Sequence, residues 1–156
     1  MKLLELRRHA PRDPERDALT DEGRALAERV GRGMDGPYDA VFSSPALRAA
    51  ETLAWFLSGF GQPLPHNHAV VDALAGDIDD PTAVEALADA LRGLFERIPE
   101  GRRGLAVGHT PLLEAAAKAL SGQMVQQLDQ CEGVLLALDD NGAIRVEREY
   151  RLGEEP

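Results

Sequence analysis

Two histidines and two arginines in this chain stand where they could act together on one phosphoryl group. The first histidine closes Arg7-Arg8-His9, directly after the short run Lys2 to Leu6. The second lies in Gly108-His109-Thr110-Pro111, directly after Leu105-Ala106-Val107. Between them Ser43-Ser44-Pro45 follows Ala40-Val41-Phe42, and Arg48 comes three residues past the proline. A guanidinium binds phosphate through two parallel N–H bonds and keeps its charge at any working pH. A neutral imidazole can attack phosphorus and carry the phosphoryl group covalently. A second imidazole, once protonated, can donate to the oxygens where transition-state charge gathers. With cationic side chains in that role no metal is needed, and no metal or cofactor is expected. Taken singly these residues say little: a histidine at a strand end is more often structural, and Arg7 and Arg48 are expected to be solvated. Their joint placement carries the argument.

That placement depends on the elements before each motif. Lys2 to Leu6 reads as a strand, and Pro11 to Asp17 as a polar loop. Thr20 can cap a helix, with Asp21 and Glu22 at its positive end and Leu26, Val30 and Met34 as its apolar stripe. Gly36-Pro37 ends it, and Ala40 to Phe42 is a second strand. Ser44 then reads as an N-cap with Pro45 at the first helical position, and Leu47, Ala50, Leu53, Ala54 and Leu57 as the core face. A turn over 59–65 leads to a third strand over Asn67 to Val71, then an acidic loop from Gly76 to Pro81. Val84, Leu87, Ala88, Leu91, Leu94, Phe95 and Ile98 trace a helix. Leu105 to Val107 is a fourth strand, and Pro111 opens a helix to about Leu120, closed by Gly122. Val134 to Leu138 and Ile144 to Tyr150 read as a hairpin joined at Asp139-Asp140-Asn141-Gly142. The alternation predicts a three-layer α/β/α sandwich with a mostly parallel sheet and an antiparallel C-terminal hairpin. In such sheets ligands bind beyond the C-terminal strand ends, where both histidines fall. The free N–H groups at the start of the Pro111 helix point to the same edge.

The chain has 156 residues, enough for one domain over 1–156 and one sizeable core. Its formal net charge of −10 argues against nucleic acid or an anionic membrane as partner. Aromatic residues at 4% leave no stacking platform for single strands. One cysteine, Cys131, excludes an intramolecular disulfide and reads as a buried apolar residue. No apolar run nears the ~20 residues of a membrane span. Arg7 and Arg8 follow the N-terminal apolar stretch, the wrong order for a signal peptide, so the cytoplasm is the expected compartment. His66 and His68 would share a strand face, yet beside Pro65 they read as surface residues rather than a metal site. The acidic stretch Asp72 to Asp80 reads as a solvated loop, or as a selector of basic surfaces.

Arg8-His9-Ala10, Leu19-Thr20 followed by Gly23-Arg24, Ser43-Ser44-Pro45-Ala46-Leu47-Arg48-Ala49-Ala50-Glu51-Thr52 and Gly108-His109 resemble the histidine phosphatase superfamily, the phosphoglycerate mutase-like fold. The resemblance runs from residue 3 to about 120. It implies His9 as the nucleophile, Arg8 and Arg48 as phosphate ligands and His109 completing the pocket. Asp17, Leu19-Thr20 and Gly23 look most like the compact SixA-type branch, which includes protein phosphohistidine phosphatases. Two departures stand out. Ala10 replaces the glycine that follows the histidine in many members. The glutamate that serves mutases and many phosphomonoesterases as general acid has no counterpart between Glu51 and Glu85. Asp72 is the favoured substitute because it closely follows the third strand, and Asp77 is the other candidate. An alkoxide leaving group needs a proton from a general acid, whereas imidazole needs less help. The expected function is therefore a metal-independent phosphatase working through phosphohistidine at His9, with a phosphohistidine protein as the favoured substrate. The alternative is a small-molecule phosphomonoesterase acting on sugar, nucleotide or aryl phosphates. A mutase is disfavoured because so short a chain offers little lid. A non-catalytic phosphate-binding module is disfavoured because both histidines and both arginines are present. One chain shows no interface, so the oligomeric state is left open.

Overall fold

A computed structural model of the chain describes residues 1–65 and 68–154. The order is β1 (Lys2–Arg8), α1 (Asp21–Arg32), β2 (Ala40–Ser43), α2 (Leu47–Phe60), β3 (Ala69–Val70), a 3₁₀ turn (Asp72–Ala75), α3 (Ala83–Glu96), β4 (Arg103–Gly108), α4 (Leu112–Ser121), β5 (Gly133–Leu138) and β6 (Ile144–Tyr150). A last 3₁₀ turn covers Leu152–Glu154. One six-stranded sheet runs β3-β2-β4-β1-β5-β6. The first four strands are parallel, β5 is antiparallel to β1, and β6 is antiparallel to β5. This is the expected mostly parallel sheet with an antiparallel hairpin.

Alternation along each strand sorts side chains to two helical layers. Leu4, Leu6, Phe42, Ala106, Val134 and Leu136 join α3 and α4 in one core cluster. Val41, Leu105 and Val107 join α1 and α2 in the other. Those two helices touch at glycines. A Cβ on Gly31 would lie 1.9 Å from the Phe56 carbonyl oxygen, and one on Gly59 would lie 1.9 Å from that of Glu28. Register then brings the strand ends level: Arg8 lies opposite Gly108, and Ser43 lies opposite both Val107 and Val70.

Several sequence expectations are corrected. Ser44 is not the cap of α2; Ala46 holds that position and makes no side-chain cap bond. The buried face of α2 is Ala49, Thr52, Leu53, Phe56 and Leu57, whereas Leu47, Ala50 and Ala54 are exposed. Small alanines fit either face, so Phe56 and Thr52 set the rotation of the helix. The third strand is shorter than expected, Ala69–Val70, and Asn67 lies outside the described residues. Arg7 is not solvated. β1 lies in the middle of the sheet with a helical layer on each face, so even its polar side is buried, with Glu5 at 0% and Arg7 at 1% exposure. Among the described residues no helix is long and apolar enough to cross a membrane.

Candidate active site

His9 is the first residue past β1, and its backbone is held on two sides. Its N–H donates to the Gly108 carbonyl at 3.1 Å, and its carbonyl accepts from Cys131 N–H at 3.3 Å. The next N–H, of buried Ala10, donates to Thr52 Oγ1 at 2.9 Å. Thr52 in turn donates to the Arg48 carbonyl at 2.7 Å, one turn back in α2. The threonine four residues after Arg48 thus ties the histidine loop to the helix that carries the arginine.

The hydrogen bonds assign the imidazole tautomers. His9 Nδ1 lies 2.8 Å from the Ala10 carbonyl oxygen, which can only accept, so Nδ1 carries the hydrogen and Nε2 keeps its lone pair. His109 Nδ1 lies 3.4 Å from Arg48 Nη2, which can only donate. His109 Nε2–H therefore donates to Ser44 Oγ, 2.7 Å away. The two rings are 5.3 Å apart between centroids. Burial lowers the His9 pKa, against a raising effect from the Ala10 carbonyl, and the Arg48, Arg8 and Arg12 charges lower it further. His109 is pushed down to about 4, first by burial, then by Arg48 and His9, with Asp17 opposing. Both rings are neutral at pH 7.

The arginines arrive from different elements. Alternation on β1 sends Arg8 to the α4 side, where Nη1 donates to the Leu128 carbonyl at 3.0 Å. Arg48 Nη1 donates to Asp17 Oδ1 at 2.8 Å. The same carboxylate accepts Leu47 N–H at 2.8 Å and Arg48 N–H at 3.2 Å. Asp17 therefore caps α2 from 30 residues back in sequence. Partial burial would raise its pKa, but Arg48 and the two N–H groups hold it below the usual carboxylate value. Arg8 Nε and Arg48 Nε are buried with no hydrogen-bond partner. A cavity of about 290 Å³ adjoins Arg8 and is lined also by Gln127, Leu128 and Asp129.

The sheet thus gathers His9, His109, Arg48 and Ser44 at one edge, with Arg8 beside them. Neither carboxylate candidate makes a hydrogen bond or ion pair with them. Asp72 opens the 3₁₀ turn after β3 and is exposed. Asp77 is exposed further along the loop, where it accepts the Asp79 N–H at 2.9 Å. Sequence reasoning missed the contacts of Asp17 and Ser44, whose only signal was their place in the family motifs. Among the described residues no three metal-ligating side chains cluster; His66 lies outside those residues.

The family model for the histidine phosphatase superfamily (branch 1) matches residues 6–92, a span that includes His9 and Arg48 but not His109. No curated protein sequence matches the chain. Among solved structures, the protein histidine phosphatase SixA complexed with tungstate superposes with a TM-score of 0.70 at 23% identity, over 96% of each chain. YhfR of Bacillus stearothermophilus gives 0.73 at 19% identity, over 97% of this chain and 98% of that one. A phosphoserine phosphatase from Entamoeba histolytica in complex with 3-phosphoglyceric acid gives 0.73 at 16%, over 96% and 97%. These likenesses show the fold, and the α4 half that the family model leaves unmatched is within it. With more than half its length matched by that family model, the chain belongs to branch 1 of the histidine phosphatase superfamily and is a phosphatase.

Proposed function

We propose that this phosphatase works as a single domain through a covalent phosphohistidine on His9, without a metal, and that its substrate is phosphohistidine on a protein. The observation that carries the mechanism is the tautomer of His9: Nδ1 is engaged by the Ala10 carbonyl, so the lone pair is on Nε2. The lowered pKa keeps that lone pair available at neutral pH. Nε2 attacks phosphorus, the bond to the leaving group breaks, and the leaving group departs with that electron pair. Water then attacks phosphorus, the P–Nε2 bond breaks, and inorganic phosphate and neutral His9 are restored. Arg8 and Arg48 bind the phosphoryl oxygens through their outward N–H groups. His109 is neutral at rest. An incoming dianion favours its protonated form, which donates where charge develops. Asp72 supplies the leaving-group proton and later accepts one from water; Asp77 is the other candidate.

The choice of phosphohistidine rests on chemistry at the leaving group. Among the described residues no carboxylate hydrogen-bonds to His9 or His109, and imidazole leaves with less need of a proton than an alkoxide. The SixA structure, that of a protein histidine phosphatase, shares the fold. The second reading is a small-molecule phosphomonoesterase, favoured by the phosphoserine phosphatase that superposes with a TM-score of 0.73. A substrate panel separates the two: phosphohistidine protein should exceed aryl phosphate, and both should exceed sugar or seryl phosphates, in kcat/KM. A reversed order overturns the substrate. His9→Ala should lower turnover by roughly 10³-fold or more and abolish trapping of labelled phosphate on the protein. Unchanged turnover overturns the mechanism.

A further inference from the structure

One buried acid near the pocket has no part in that chemistry. Glu114 lies in the first turn of α4 and is 6% exposed. Its Oε2 accepts the Leu128 N–H at 3.0 Å and also accepts from the Thr110 hydroxyl. Oε1 is buried without a hydrogen-bond partner. With Arg8 Nε and Arg48 Nε it completes the set of such side-chain atoms among the described residues.

The two groups on Oε2 belong to two segments that meet beside the site. Thr110 directly follows His109, and the His109 carbonyl accepts the Leu113 N–H at 3.1 Å, so this segment is anchored to the start of α4. Leu128 belongs to the segment between α4 and β5, and its carbonyl is what Arg8 Nη1 grips. Glu114 therefore holds, through its N–H, the residue whose carbonyl orients Arg8. On its outer side the segment is held by Arg151, which donates to the Gln127 and Gln126 carbonyls at 2.9 and 3.0 Å, and by Glu132 Oε1, which accepts the Asp129 N–H at 2.8 Å. Glu114 holds it from the side of His109, at the buried Leu128 between exposed Gln127 and Asp129. A buried carboxylate left with one unpaired oxygen is costly to keep, so a packing role alone would favour an apolar residue here.

We infer that Glu114 is a positioning residue for phosphate binding: it fixes Leu128, and through the Leu128 carbonyl the Arg8 guanidinium, relative to His109. The inference rests on the phosphate-pocket reading above, and it concerns binding rather than turnover.

The test is calorimetric titration of inorganic phosphate and tungstate into the wild type, Glu114→Ala, Arg8→Ala and the double variant. Glu114→Ala should weaken oxyanion binding about tenfold, the scale of one hydrogen bond supporting a charged group. On the Arg8→Ala background the same change should cost less than about twofold, because the residue it orients is gone. Glu114→Gln keeps an acceptor oxygen for Leu128 N–H and should recover most of the affinity. Equal binding by wild type and Glu114→Ala overturns the inference. So does the same loss with and without Arg8, which would mark Glu114 as merely structural. If Glu114→Ala does not fold, Glu114→Leu, of similar volume and without an acceptor, takes its place in the same cycle. Failure of the wild type to bind either oxyanion overturns the phosphate pocket itself, and this inference with it.

Discussion

Arg7 and Arg8 are neighbours on β1, yet they point to opposite layers and meet opposite chemistry. Arg7 goes to the α1/α2 side, where every nitrogen has a partner. Nε donates to Glu5 at 2.6 Å, Nη1 to the Cys131 carbonyl at 3.0 Å, and Nη2 faces Met34 Sδ at 2.7 Å. Its guanidinium also stacks 4.5 Å from the Tyr150 ring. Glu5 is shared with Arg103 and accepts from Tyr38 OH at 2.9 Å, while Arg103 donates to Tyr150 OH at 2.5 Å. Arg8 donates to one carbonyl and keeps Nε buried and unpaired. Buried charge is tolerated when it is paired and hydrogen-bonded, and it is strained toward a ligand when it is not. The first cluster is complete within the chain; the second, at the strand ends, leaves Arg8 Nε and Arg48 Nε unpaired.

Substituting the two arginines in turn probes this contrast most directly. Arg7→Met leaves Glu5 short of a cation inside the protein. It should cost about 3 kcal/mol, the scale of breaking a buried pair. In a chain this long that lowers Tm by about 6–12 °C. Arg8→Met should change Tm little, but should lower kcat/KM by about 100-fold or more, as loss of a charge-stabilising donor does. Calorimetry and initial rates on both variants check this. If both lose mainly stability, or both mainly activity, the contrast fails.

The same contrast marks what was legible in the sequence. Strands, helices and the three edge motifs were legible because periodicity and glycine or proline punctuation are local signals. His9 and His109 could be placed by knowing only where each strand ends. Arg7 could not be placed, because Met34 and Cys131 reach it from loops far apart in sequence and its own context resembles a polar strand end. Ser44 beside Pro45 reads locally as a helix cap, but its hydroxyl meets His109 from 65 residues away and the cap falls to Asp17. Glu114 hides in Leu112-Leu113-Glu114-Ala115, where only burial shows its purpose.

Acid should separate the clusters along the pH axis. His9 and His109 have folded pKa values below the unfolded 6.5, with His109 at about 4. The unfolded chain therefore takes up these protons first, so their contribution is intact above pH 6.5 and is lost as pH falls from 6.5 toward 4. Glu5 is different: its own burial raises its pKa, but Arg7 and Arg103 hold it below the unfolded 4.5. Its contribution is intact above pH 4.5 and is lost only as pH falls below that. Tm measured across pH should slope in both windows for the wild type. His109→Asn should flatten the upper window in part, leaving the share of His9, and should leave the lower one alone. An unchanged upper slope would mean that His109 titrates as an ordinary surface group.

The smallest expected effect concerns Asp17, where stability and activity meet in one side chain. Its carboxylate caps α2 through Leu47 and Arg48 N–H and also holds the Arg48 guanidinium. Asp17→Ala removes all three bonds and should cost about 1 kcal/mol, the usual loss for a missing cap. The ion pair itself is partly exposed and adds little to that. Asp17→Asn keeps an oxygen that caps nearly as well, so stability should largely return. It does not restore the negative charge that holds Arg48 beside His109, so kcat/KM should stay several-fold low in both variants. If Asn restores both properties, Asp17 is only a cap and Arg48 needs no charged partner. If it restores neither, the charge supports the helix as well as the arginine, and this part of the edge is more like the Arg7 cluster than the comparison allows.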